Sequence, residues 1–234
     1  MKVLVFDDSP IHRSAAAVQL KDHDLTVVST YDEAEKALTP SFNYQEYKRI
    51  LAEAGYEEYP RLQGEERDKF EAFKEAARKQ ATTYPDFDVV LTDLLVPASG
   101  RDLNESNRLI GQEMPLGTII AFLALRWGVK YVAVVSDAGN HSHPASSALT
   151  ALCADIAEGL PVIIGDTTVM LTNYDVTTEM DAETFEEVSF DFLLSEEGRK
   201  KYPRIDDGHN GHRGMVRAKV WGEILERLLE GKLY

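Results

Sequence analysis

Acidic residues recur at one kind of place in this chain, directly after short apolar runs rich in β-branched residues. Asp7 and Asp8 follow the run 2–6, Thr92 and Asp93 follow 89–91, Ser136 and Asp137 follow 131–135, and Gly165 and Asp166 follow 161–164. Gathered in a partly desolvated cleft, carboxylates such as Asp7, Asp8 and Asp93 repel one another, and a hard divalent cation relieves that repulsion. Magnesium suits them, because it takes one or two carboxylates together with waters and phosphate oxygens. The plain alternative is that each Asp caps a helix or sits in a loop, and Asp8-Ser9-Pro10 does carry a helix-start signature. A second set of candidates is imidazole: His141 and His143, then His209 and His212 beside Asp206 and Asp207. With carboxylates they could hold zinc, manganese or iron for a phosphatase or nuclease, but neither spacing is a recognised metal motif, and solvated surface histidines are the plain reading.

The elements that must position these groups follow from periodicity. The apolar runs 2–6, 25–28, 89–91, 131–135 and 161–164 predict five strands buried on both faces. Between and after them, 11–21, 32–38, 116–127, 146–158 and 219–229 have helical spacing. Strands alternating with helices imply a doubly wound α/β domain with a five-stranded parallel sheet, because parallel neighbours need crossover connections. Ligands of such sheets collect outside the carboxyl ends of the strands, which is where the acids fall. Two segments stand outside the alternation. Residues 39–85 carry helical spacings at Tyr44, Tyr47, Ile50 and Leu51 and again at Phe70, Phe73 and Ala77, broken by Gly55, Pro60 and Gly64, and predict an inserted helical hairpin. Residues 166–216 form a second insertion before the last helix. One domain over 1–234 with two insertions is the expected organisation.

Composition narrows the partners. The 234 residues are 44% hydrophobic and 28% charged, enough to bury a core. Forty acidic against 25 basic residues leave a net charge of -15, which repels a phosphate backbone, so no nucleic-acid partner is expected. Cys153 is the single cysteine and cannot close an internal disulfide. The N-terminus meets Asp7 and Asp8 too early for a signal peptide, and the longest apolar run, 119–125, is far short of the about 20 residues that span a bilayer. A cytoplasmic protein without a membrane segment is expected.

The opening Val3-Leu4-Val5-Phe6-Asp7-Asp8-Ser9, then Tyr31-Asp32-Glu33-Ala34, then Asp88-Val89-Val90-Leu91-Thr92-Asp93-Leu94-Leu95-Val96-Pro97 resemble the receiver domain of two-component response regulators. Met114-Pro115-Leu116-Gly117 and Val134-Val135-Ser136 extend the likeness, which covers the sheet and its helices but neither insertion. The resemblance implies a flavodoxin-like (CheY-like) fold. It implies Mg2+ bound by Asp7, Asp8, Asp93 and the backbone carbonyl of Leu95, phosphorylation of Asp93, and a hydroxyl contact from Ser136. It also implies a histidine kinase or phosphotransfer protein as donor, a downstream protein partner, and a signalling role rather than turnover catalysis.

Receiver domains also carry a lysine just after the fifth strand, and none follows 161–164. One expectation is that the second insertion displaces it, so that Lys219 returns to the site at the start of the last helix. The other is that Lys219 is a solvated helix residue, with Trp221, Ile224, Leu225 and Leu228 forming the buried face. Without a cation there, the chain would be a receiver-like binding module that takes no phosphate.

Overall fold

A computed structural model describes residues 1–56, 62–98, 110–137, 143–155, 160–173, 176–203 and 212–230, without the side chains of 150 and 152–155. In chain order the elements are β1 (Lys2–Phe6), α1 (Pro10–Gln19), β2 (Asp24–Val28), α2 (Tyr31–Leu38), β3 (Ser41–Phe42), α3 (Tyr44–Glu53), α4 (Glu65–Gln80) and β4 (Thr82–Thr83). They continue with β5 (Val89–Asp93), β6 (Val96–Pro97), β7 (Glu113–Met114), α5 (Leu116–Arg126), β8 (Tyr131–Val135) and α6 (Pro144–Asp155). The last are β9 (Val162–Ile164), β10 (Thr167–Thr172), β11 (Thr177–Asp181), α7 (Phe190–Leu194), α8 (Glu196–Lys201), β12 (Met215–Lys219) and α9 (Trp221–Glu230).

The class is α/β. A six-stranded sheet has the order β2-β1-β5-β8-β10-β9, with the first five strands parallel and β9 antiparallel at the edge. Alternation along the strands sends Val3, Val5, Val89, Leu91, Ala133 and Val135 to one face. There they meet Ala15, Ala16 and Leu20 of α1 and its exit, and Trp221, Ile224, Leu225 and Leu228 of α9. The spacing of that α9 set, i, i+3, i+4 and i+7, puts one stripe of the helix into the core. On the opposite face α5 packs against β5 and β8. Its Gly117 touches β5 so closely that an added Cβ would lie 1.7 Å from the Asp93 carbonyl oxygen.

The fifth parallel strand is therefore β10, not the predicted run 161–164. Gly165, at φ 62°, turns the chain back in a tight hairpin, so Val162–Ile164 pair antiparallel with β10 and leave Ile163 and Ile164 exposed. The Thr-rich β10 enters the interior instead, because the Thr167 hydroxyl donates to the Val129 carbonyl at 2.8 Å and Val169 and Met170 are buried. Strand β10 thus falls inside the predicted second insertion but belongs to the main sheet. After it, β11 and β12 pair antiparallel as a separate two-stranded sheet.

Residues Ala37–Pro85 form a compact unit of their own. Helices α3 and α4 close on Tyr47, Ile50, Leu51, Phe70, Ala77 and Ala81, and Tyr56 meets Phe70 at 5.0 Å between ring centroids. Acids in the first turn of α4 and Arg78 and Lys79 in its last turn oppose the helix dipole. Among the described residues no helix is long and apolar enough to cross a membrane.

Candidate functional site

The strand order turns back between β1 and β5, and the carboxyl ends of these strands carry Asp7 and Asp93 side by side. One carboxylate oxygen from each of Asp7, Asp8 and Asp93 lies within 4.8 Å of the others. Asp7 is fully buried and Asp93 nearly so. The loop after β1 is shaped by its own atoms: the Ser9 N–H donates to Asp7 Oδ1 at 2.8 Å, and the Arg13 guanidinium donates to the carbonyls of Asp7 and Asp8. Helix α1 does start at Asp8-Ser9-Pro10, with Ser9 as the N-cap residue and Pro10 in the first turn, but no side-chain cap hydrogen bond is made, which corrects the expected capping role of Asp8 or Ser9.

Lys219 enters this pocket. It is the last residue of β12, not a residue of the final helix, and it is fully buried rather than solvated. Its Nζ lies 2.7 Å from Asp7 Oδ2, 2.9 Å from Asp93 Oδ1 and 3.8 Å from Asp137 Oδ1. Trp221 places its ring centroid 5.4 Å from the same nitrogen. The lysine comes from the β11–β12 pair, whereas the acids come from the ends of main-sheet strands.

One ammonium shared among three carboxylates, with Asp8 nearby, sets the electrostatics. Burial, with Asp7 and Asp137 adding to it against the pull of Lys219, pushes the Asp93 carboxyl up to about 7. Asp8 is raised for the same two reasons, partial burial first and then the Asp7 charge. Burial alone would lower Lys219, but Asp93, Asp7 and Asp137 outweigh it and hold the ammonium above the ordinary lysine value. Asp137 is held well below the carboxylate range by the hydrogen bond from His12 and, against its own partial burial, by Lys219.

Ser136 stands one residue beyond Val135, the register partner of Asp93, and so at the same rim; its hydroxyl lies 3.4 Å from the Ser146 hydroxyl. Leu95 is buried in the turn between β5 and β6, where the adjacent Leu94 carbonyl accepts the Gly117 N–H at 3.2 Å. Asp166 does not join the site. It is exposed in the β9–β10 hairpin, and β10 begins there, at the rim opposite the carboxyl ends. His143 accepts the Ala145 N–H at Nδ1 in a local turn, and His212 Nδ1 lies 2.8 Å from the Tyr202 carbonyl oxygen. His141 and His209 lie outside the described residues, as do 99–109.

Two site residues carried no signal strong enough to single them out. His12 lies on the same α1 stripe as Ala15 and Ala16, and a polar residue at that spacing on a buried face was the available clue. Gly117 needed the packing of α5 on β5 to acquire meaning. No family model matches the chain, and no curated protein or solved structure is significantly similar to it.

Proposed function

We propose that the chain is a receiver-like signalling module that accepts a phosphoryl group on Asp93 from a histidine kinase or phosphotransfer protein and passes the change on through protein contacts. The observation that carries this reading is the Lys219 ammonium, 2.7 Å from Asp7 and 2.9 Å from Asp93. The parallel strand order β2-β1-β5-β8-β10 supports the flavodoxin-like class, with the acids at the point where the order reverses. In this reading residues 39–85 and the segment before α9 are insertions on one receiver-like domain, and the protein works in the cytoplasm.

The donor set fits magnesium. Oxygens within 4.8 Å of one another are close to the about 4.2 Å that separates opposite ligands of an ion bound at about 2.1 Å. Four carboxylates against one lysine also leave negative charge that a divalent cation would balance. Asp7, Asp8, Asp93 and the Leu95 carbonyl would hold the ion, which when bound neutralises phosphoryl oxygens and favours in-line transfer.

The chain's own groups do the rest. Among the described residues, both hydrogen bonds to the Asp93 carboxylate, from Leu94 N–H and from Lys219, reach Oδ1, so Oδ2 is the nucleophile. Its lone pair forms the new O–P bond as the bond from phosphorus to the donor breaks, and the donor departs with that electron pair. Lys219 pairs with the new negative charge, and Ser136 offers a hydroxyl from the neighbouring strand end. The movement of these two groups onto the phosphoryl oxygens is the switch.

Acetyl phosphate with Mg2+, followed by intact mass measurement, tests the reading. The wild type gains one phosphoryl group and Asp93→Asn gains none. A wild type that stays unmodified would instead make the chain a binding module with a receiver-like site. The metal-dependent hydrolase reading has less support, since the Nδ1 atoms of His143 and His212 are each engaged with backbone groups.

A further inference from the structure

We propose that His12 is the residue that positions the Lys219 ammonium between Asp7 and Asp93. Lys219 belongs to a two-stranded sheet separate from the main one, so the ladder that aligns Asp93 with its neighbours does not set where the lysine falls. A long flexible side chain on such an element needs something to register it against the site.

His12 makes three contacts that do so. Its Nδ1 accepts the backbone N–H of Lys219 at 3.4 Å, which leaves the ring proton on Nε2. Nε2 donates that proton to Asp137 Oδ2 at 3.0 Å, turning the other Asp137 oxygen to within 3.8 Å of the Lys219 Nζ. Its carbonyl accepts the indole N–H of Trp221 at 2.9 Å, and that ring lies 5.4 Å from the ammonium. One nearly buried side chain on α1 therefore fixes the lysine's backbone and its third carboxylate, while the backbone of the same residue holds the aromatic wall. His12 itself bonds to none of Asp7, Asp8 and Asp93 among the described contacts, so it acts through Lys219 and is a positioning residue. A core histidine serving only to fill space would need neither of the two ring-nitrogen bonds.

The inference rests on the phosphoryl reading only for its effect on rate, so the test uses two readouts on the full chain. The first is acetylation of the Lys219 amine by an N-hydroxysuccinimide ester, followed by peptide mass mapping. The second is the rate of Asp93 modification by acetyl phosphate. His12→Phe, which keeps volume without hydrogen-bonding groups, is expected to raise Lys219 labelling relative to the other lysines by about tenfold and to slow phosphorylation by about as much, the scale of one lost buried hydrogen bond. His12→Gln, which can still donate to Asp137, recovers a large part of both. His12→Ala follows His12→Phe if it folds, and the Phe and Gln pair decides the matter if it does not. Wild-type protection of Lys219 in His12→Phe would overturn the proposal. If the wild type takes no phosphoryl group, the signalling reading fails while the labelling still decides the role of His12.

Discussion

The Nζ of Lys219 lies 2.9 Å from Oδ1 of Asp93, and the same nitrogen bonds Asp7, 212 residues away in the chain. All three groups are buried or nearly so, which makes the pairing strong and its disruption severe. An ammonium and carboxylates removed from water are tolerable only because they meet one another with short, direct hydrogen bonds.

Removing the lysine should therefore unfold the protein more easily than its size suggests. Lys219→Met strands two buried carboxylates and is expected to lower stability by about 3–5 kcal/mol in urea unfolding at pH 8. Adding Asp93→Asn to that variant should recover a substantial part of the loss. A Lys219→Met penalty below about 1 kcal/mol would show the pair to be worth no more than an exposed one.

Asp93 gives stability a pH dependence of unusual sign for an aspartate. Burial pushes its folded carboxyl up to about 7, above the ordinary 3.8, so between those values the native state holds more protons than the unfolded one. Stability contributed by this group is present below the lower value and falls as pH rises toward about 7. Asp93→Asn should abolish that slope, so the variant gains on the wild type from pH 4 to pH 7 in urea midpoints. Parallel pH profiles for the two proteins would contradict the assignment.

Magnesium and protons should compete at the same carboxyl. Binding of Mg2+ is expected to weaken as pH falls through about 7, where Asp93 becomes protonated. At a concentration ten times its Kd the ion should stabilise the fold by about 1.4 kcal/mol, removable by EDTA. Thermal melting at pH 8 and pH 5.5 with and without Mg2+ measures this, and an equal shift at both values, or an undiminished one in Asp7→Asn, would speak against the site.

Gly117→Ala probes the seat of α5 on β5. The new methyl would lie 1.7 Å from the Asp93 carbonyl oxygen, part of a backbone that cannot swing aside as a side chain can. A loss of about 1–3 kcal/mol or more is expected, with slower modification of Asp93 as β5 shifts. Normal stability with normal phosphorylation would mean that α5 can move away at little cost.

The assignment of the fifth parallel strand is testable by contrast. Ile164→Lys, on the exposed edge of β9, should change stability by no more than about 0.5 kcal/mol. Met170→Ala, at a fully buried position of β10, should cost about 2–5 kcal/mol. The reverse ranking would restore 161–164 to the interior.

The sequence by itself determined what is local. Short continuous apolar runs and period-3.6 patterns located β1, β5 and β8 and the helices α1, α5 and α9 to within a few residues, and an acid directly after a buried strand needs only that strand's direction to reach the carboxyl rim. That is why Asp7, Asp8 and Asp93 could be named in advance. Short apolar runs do not reveal which neighbour they pair with, so 161–164 read as a core strand while the threonines of β10, whose burial depends on a carbonyl supplied by Val129, did not. The position of Lys219 was beyond any local pattern. It depends on the β11–β12 pairing and on the hydrogen bond its backbone N–H donates to His12 in a distant helix, and the attraction of two buried carboxylates for one ammonium acts only after folding has brought those elements together.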